Sequence, residues 1–369
     1  MRTSYSQNNT YITCPKLWYW QYVEKYTSET EGSSLYFGTA IDRAVSDILE
    51  NKPNWLQVFY NNWEGQPKDG QWTKIFDNPN ITYSHKDFDA DLLETKDYPE
   101  MEKWAKELKL IAQTDNPTPE DLVDLYKQAS KAKSSPYLKL TDEQFAYFNR
   151  CSWLGLKRKG KILLNAFNDQ VMPKVKKVIS TQKRSKIEDP NTGDQVIGFV
   201  DMILELDGYD KPIIFDLKTS AFNYDPHQLE TSPQLTLYAA MEARNLNTDL
   251  VGYIVLNKSI PKEVISHCQK CSSKKATRHQ TCNRIASDGN RCGGSWVESK
   301  IPKPEVQIMV DKKTPAQIED LLIDTGNIIL AMKNSIVYKN TNKCNDFYGG
   351  LCPMINLCHK GDPTGLRKK

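Results

Sequence analysis

The chain has 369 residues, 39% hydrophobic and 26% charged, and its 49 basic against 46 acidic side chains leave a net +3. Roughly two domains fit that length, a mean hydropathy of −0.62 fits a soluble globular protein, and no apolar run approaches the ~20 residues of a membrane span. A charge so nearly balanced leaves no nucleic-acid footprint by itself, so such affinity must come from local patches.

The first residues, Met1-Arg2-Thr3-Ser4-Tyr5-Ser6, lack the apolar segment of a secretory signal. The expected location is cytoplasmic, with no membrane partner. Nine cysteines in such a chain point to metal before disulfides. The spacing of Trp18, Gln21, Tyr22 and Lys25 predicts a helix over Cys14–Lys25, and the aromatics of this region read as core before base-stacking platforms. From Gly38, Ile41, Val45, Ile48 and Leu49 mark a second helix. Residues 64–100, rich in Gly, Pro, Asn and Asp, read as an irregular connection. Thr118-Pro119-Glu120 opens another helix, and Thr141 with Gln144 forms a capping box for one running past Phe167.

The pattern then changes. Val175–Thr181, Val196–Leu206 and Ile213–Leu217 read as a strand meander turned at Gly208-Tyr209-Asp210. A helix at about Ser232–Arg244, a strand at Val251–Leu256, a returning strand at Glu305–Val310 and a helix opened by Thr314-Pro315 complete an α/β (α+β) fold. Four regions follow: a mostly helical part, 1–170; a strand-rich core, 171–257 with 301–336; a cysteine-rich insert, 258–300; and a C-terminal cysteine cluster with a basic tail, 337–369.

The chemistry lies in the strands. Asp201 sits in the apolar run Gly198-Phe199-Val200-Asp201-Met202-Ile203-Leu204. Asp216 and Lys218 follow on the next strand, where a period of two puts them on one face. A buried carboxylate is costly unless paired or metal-bound. Two carboxylates from adjacent strands suit Mg²⁺ or a similar ion, with waters and a phosphate completing the shell. Lys218 beside them would orient or deprotonate a bound water and steady charge on phosphorus.

In this order the motifs resemble the PD-(D/E)XK nuclease superfamily, in its RecB/AddB-like exonuclease branch. Gly198-x-x-Asp201 resembles the second motif and Asp216-Leu217-Lys218 the third. Gln234-Leu235-Thr236-Leu237-Tyr238 is similar to Gln-x-x-x-Tyr, whose spacing of four shares one helix face. Gly38-Thr39-Ala40-Ile41-Asp42 resembles Gly-x-x-x-His, with Asp42 where the family has histidine. The resemblance implies a restriction-endonuclease-like mixed sheet flanked by helices. It implies Mg²⁺ or Mn²⁺ on Asp42, Asp201 and Asp216, with Lys218, Gln234 and Tyr238 beside them. It also implies a [4Fe-4S] cluster on Cys14, Cys344, Cys352 and Cys358; the seven residues between Cys344 and Cys352 depart from the usual Cys-x2-Cys, and zinc is an alternative there.

In the insert, Cys268 and Cys271 form half of a tetrahedral zinc site that Cys282 and Cys292 would complete, with His267 and His279 as alternative ligands. So short a segment needs a metal to fold. Lys270, Lys274, Lys275, Arg278, Arg284 and Arg291 around it, and a second basic run at Lys174, Lys176, Lys177, Lys183, Arg184 and Lys186, are candidates for a nucleic-acid backbone. The leading expectation is a metal-dependent DNA exonuclease acting on ends or single strands. It would serve repair or recombination, with a helicase or recombination partner by analogy, in a phage or mobile-element setting. The alternatives are an inactive nucleic-acid-binding or assembly factor that keeps the fold, and a zinc-ribbon RNA binder.

Overall fold

The computed structural model describes the chain apart from residues 69–70, 136, 189–191, 275–279, 286–288 and 346–350. In chain order the main elements are β1 (Arg2–Ser4), α1 (Tyr5–Thr13), α2 (Ser33–Leu49), α3 (Trp55–Glu64), α4 (Tyr98–Glu107), α5 (Pro119–Ser134), α6 (Asp142–Gln170) and β2 (Val175–Glu188). Then come β3 (Gln195–Leu206), β4 (Ile213–Ser220), α7 (Pro233–Leu246), β5 (Leu250–Asn257), β6 (Lys262–Cys268), β7 (Trp296–Pro302), β8 (Val306–Lys312) and α8 (Pro315–Lys333).

One mixed sheet organises the fold. β4 lies between β3, antiparallel, and β5, parallel, and β8 closes the far edge antiparallel to β5. β2 runs antiparallel along one side of β3 from Val175↔Leu206 to Glu188↔Gln195. On its other side β3 pairs with two strands in succession, β1 in parallel at Gln195–Ile197 and β4 at Met202–Leu204. Among the described residues, 198–201 have no strand partner on that side, so the sheet forks there.

Each face of the sheet is covered. On one, Phe37, Ile41, Val45 and Ile48 of α2 pack with Leu163 and Phe167 of α6 and with Ile213 and Phe215 of β4. On the other, Leu235, Tyr238 and Met241 of α7 and Ile329 of α8 pack on Val200, Ile214 and Val255. A three-layer, restriction-endonuclease-like α/β fold results. Its helices start where the sequence marks them: Thr118, Thr141 and Thr314 cap α5, α6 and α8 with reciprocal capping boxes to Asp121, Gln144 and Gln317.

Three local expectations are corrected. The helix expected over Cys14–Lys25 forms but spans only residues 15–23, passing from α-helical at Pro15–Trp18 to π-helical at Tyr19–Val23, and Lys25 beyond it takes a left-handed φ of 64°. Cys14 breaks it from α1, where Ser4 caps a helix that the polar run Asn8-Asn9-Thr10 had hidden. The connection over 64–100 carries short paired strands, Gly65–Lys68 with Gln71–Lys74. The first strand of the meander does not stop at Thr181 but continues to Glu188.

Candidate active site and metal centres

The fork is where the candidate residues meet. Alternation along β3 breaks at Asp201: Val196 and Val200 join the core under α7, whereas Met202 and Leu204 join the core under α2. Asp201 fills the gap left by the missing strand pairing, its Oδ2 accepting the Leu217 backbone N–H at 2.8 Å. The carboxylate is thereby held in the fork beside β4. From β4, Asp216 and Lys218 share one face, and Lys218 Nζ stands 2.6 Å from Asp216 Oδ2. From α2, Asp42 approaches on the opposite layer.

These three carboxylates feel one another. Burial first, then Asp216 and Asp42, pushes Asp201 up to about 8. Burial and Asp216 raise Asp42 to about 6, against the opposing Arg43. Asp216, only 2% exposed, is raised by burial although Lys218 opposes it. Its Oδ2 faces the Lys218 ammonium as an ion pair. Asp42, Asp201 and Asp216 are hard oxygen donors that repel one another, a pressure that a divalent cation of the Mg²⁺ or Mn²⁺ type would relieve, although their oxygens do not all lie within 4.8 Å of one another.

Lys218 is fixed by α7. Its Nζ donates to Gln234 Oε1 at 3.1 Å, and Gln234 Nε2 donates to Tyr238 Oη at 2.9 Å. Burial depresses the ammonium, but Asp216 and Asp201 more than reverse this, and its pKa lies above that of an ordinary lysine. Lys218 is therefore a cation near neutrality and a donor rather than a base. Gly198 belongs to the same construction: a Cβ there would lie 3.0 Å from Tyr238 Cε1 and 3.4 Å from Met241 Sδ. The motif glycine lets β3 approach the helix that carries Gln234 and Tyr238.

Sequence reasoning missed two neighbours. Gln182 of β2 lies across from Asp201 with a left-handed φ of 45°, a conformation costing a non-glycine residue ~1–3 kcal/mol. Its Nε2 donates to Asp42 Oδ1 at 2.8 Å and Oδ2 at 2.9 Å. Glu242, 1% exposed, continues the Gln234–Tyr238 stripe by one turn and binds Lys183 Nζ at 2.6 Å and the Ser185 hydroxyl. Its spacing of four from Tyr238 was the available signal; Gln182 had none. The basic run is largely paired, with Lys183 on Glu242, Lys176 on Asp207, Lys177 on Glu205 and Lys186 on Glu188.

Two cysteine sets differ in spacing. In the insert, the β6–β7 hairpin brings Cys268, Cys271, Cys282 and Cys292 together with all four Sγ atoms within 4.8 Å of one another. Cys268 to Cys292 is 3.5 Å and Cys271 to Cys282 is 3.7 Å. Tetrahedral ligands at 2.3 Å from one ion stand about 3.8 Å apart, so these four can bind a single metal. Backbone N–H groups point at the sulfurs, from Lys270 and Cys271 to Cys268, Ser273 to Cys271, Arg284 to Cys282 and Gly294 to Cys292. The Ser273 hydroxyl and amide lower Cys271 to about 6. Gly294 must be glycine, since a Cβ would fall 2.5 Å from Cys268 Sγ. His267 turns to Ser299 at 3.4 Å; His279, Lys275 and Arg278 lie outside the described residues.

Cys14, Cys344, Cys352 and Cys358 line one small pocket of about 10 Å³, with Leu17, Lys339, Lys343 and His359. They do not form a group within 4.8 Å, so as placed they are too widely set for a single ion. Trp20 Nε1 donates to Cys358 Sγ at 3.0 Å and the Asn340 amide to Cys14 Sγ at 3.4 Å. Trp18 is core, 5% exposed beside Tyr11 and Met332.

A family model described as the PD-(D/E)XK nuclease superfamily matches residues 2–359. The chain belongs to that superfamily. PD-(D/E)XK nucleases act on nucleic acids and use divalent metals, which agrees with the carboxylate–lysine arrangement at the fork. A solved structure described as "Crystal structure of SSO0001" shares 12% identity over 64% of this chain and 86% of that one, with a TM-score of 0.23. No curated protein matches the sequence. Among the described residues of this PD-(D/E)XK protein, no helix is long and apolar enough to cross a membrane.

Proposed function

We propose that the chain is a Mg²⁺- or Mn²⁺-dependent deoxyribonuclease, an exonuclease of the RecB/AddB-like kind, hydrolysing phosphodiester bonds at DNA ends or in single strands. The observation that carries this reading is the mutual repulsion of Asp42, Asp201 and Asp216 beside the linked Lys218–Gln234–Tyr238 chain, with Lys218 ion-paired to Asp216. The three carboxylates would hold the ion, which when bound supplies an activated water and charge neutralisation at phosphorus. Lys218, held protonated by Asp216, donates to a phosphate oxygen as negative charge grows there. Gln234 keeps that ammonium aimed, because its own amide is oriented by the Tyr238 hydroxyl. Asp201 stays seated through the Leu217 N–H while the substrate exchanges.

The insert at 258–300 is read as a zinc-binding module on Cys268, Cys271, Cys282 and Cys292, supported by their sulfur spacing. The wider cysteine pocket is read as a [4Fe-4S] site. Thiolates are the usual ligands of such a cluster, and the N–H donors from Trp20 and Asn340 suit charged sulfurs. A cytoplasmic location and a helicase or recombination partner follow from the branch resemblance.

End-labelled linear DNA and a closed circle are incubated with the protein in Mg²⁺ or Mn²⁺, beside Asp216→Ala and Lys218→Ala. The expected result is degradation of the linear form, with a loss of at least ~10²-fold in either variant. Equal rates in all three proteins would remove the catalytic reading. Binding without cleavage would favour an inactive assembly factor, cutting of the circle an endonuclease, and preference for RNA a ribonucleic substrate.

A further inference from the structure

We propose that Gln182 is a positioning residue for the ion site, its side-chain amide setting the attitude of the Asp42 carboxylate. The inference rests on the reading of Asp42 as a metal ligand.

The amide donates to both Asp42 oxygens, at 2.8 and 2.9 Å. A carboxylate or imidazole that binds metal is generally oriented by an outer hydrogen-bond partner, and for a carboxylate that partner must be a donor. Asp42 comes from a helix on one face of the sheet, so it needs such a tie to the strands that carry Asp201 and Asp216. Gln182 provides it from across Asp201, at the point where the pairing of β2 with β3 skips both residues.

The backbone at Gln182 is arranged for this. Its φ of 45° has no intrinsic preference from glutamine, and its side chain is exposed rather than packed in a core. Anchors on both sides hold the conformation. Thr181 Oγ1 donates to Glu50 Oε1, just past the end of α2, at 2.6 Å. Lys183 Nζ donates to Glu242 Oε2 on α7 at 2.6 Å, and Ser185 binds the same carboxylate. The strand is therefore pinned to the helix layers of both faces, one residue before and one after the strained position. Such pinning is understandable if the side chain between has to stay where it is.

The test uses the full chain and measures Mn²⁺ binding by electron paramagnetic resonance, alongside thermal melting. Asp216→Ala defines the part of the signal that belongs to the site. Gln182→Gly removes the amide and frees the left-handed backbone; Gln182→Met keeps the length and the backbone constraint without the donor. The expected result is Mn²⁺ binding weaker by about 10- to 100-fold in both variants, with Gln182→Gly melting no lower than the wild type. Unchanged or tighter binding in Gln182→Met overturns the proposal, because the amide would then be idle or a competitor of the ion. Wild-type protein showing no binding that Asp216→Ala abolishes would instead overturn the site reading, and this proposal with it.

Discussion

Asp201 exchanges a strand hydrogen bond for a carboxylate in the fork, and the exchange has a pH signature. Its folded pKa of about 8 lies above the ordinary aspartate value, so the folded, metal-free chain holds a proton that the unfolded chain has released. Its contribution to stability is full below about pH 4 and is lost as pH rises through about 8. Asp201→Asn, which keeps an oxygen for the Leu217 N–H, should stabilise the metal-free protein by ~0.5–2 kcal/mol at pH 8 and by little at pH 4. Its cleavage activity should be lost. Urea titrations at the two pH values, without divalent ions, measure the difference. At this scale the sequence was informative where a period or a motif applied. Asp216 and Lys218 meet because strand residues two apart share a face, and Gln234 and Tyr238 because helix residues four apart do. Gln182 was silent, since a lone glutamine in a polar run has no periodicity and its role arises from a backbone twist set by distant anchors.

Helix starts were the most legible elements, because Pro119 and Pro315 at the first helical position and the Thr141–Gln144 capping box announce them by local chemistry alone. The second half of β2 was the least. As an edge strand it is free to carry Lys183, Arg184 and Lys186, and charge of this kind, which protects an edge from aggregation, reads as loop. The cysteine insert stands between: Cys268 and Cys271 marked it, but the closure by Cys282 and Cys292 depends on the register Cys268↔Trp296 of the β6–β7 hairpin. Replacing Cys268 and Cys271 by serine should release one zinc per chain and deprotect the hairpin amides to hydrogen exchange. The β5–β8 pairing continues the main sheet and should keep its protection. Metal analysis by mass spectrometry with exchange mapping reads both; zinc retained at the wild-type level would count against the insert as its site.

For the whole molecule, the cysteine pocket joins segments more than three hundred residues apart. Tyr11 Oη on Ile336 O and the strand pairing of Leu366–Lys368 with Tyr26–Ser28 support the same closure. The proposed cluster would tie so long a loop covalently and remove much freedom from the unfolded chain. Cys358→Ser should therefore lower the melting temperature of anaerobically prepared protein and erase a visible absorbance near 400 nm typical of iron–sulfur clusters. A colourless, iron-free wild type with the same melting curve would exclude the cluster. The fold class was legible from the change of pattern near residue 170, whereas the approach of Asp42 to Asp201 was legible only through the family resemblance, because nothing local tells a helix which end of a sheet it will cover. That approach has a kinetic consequence. Asp42 reaches the fork from the layer packed by α2 and α6, whereas Gln234 and Tyr238 reach it from the layer packed by α7 and α8. During refolding, affinity for a divalent ion should consequently appear only after both layers have docked, trailing the far-ultraviolet signal of the sheet and marking the last step to the native state.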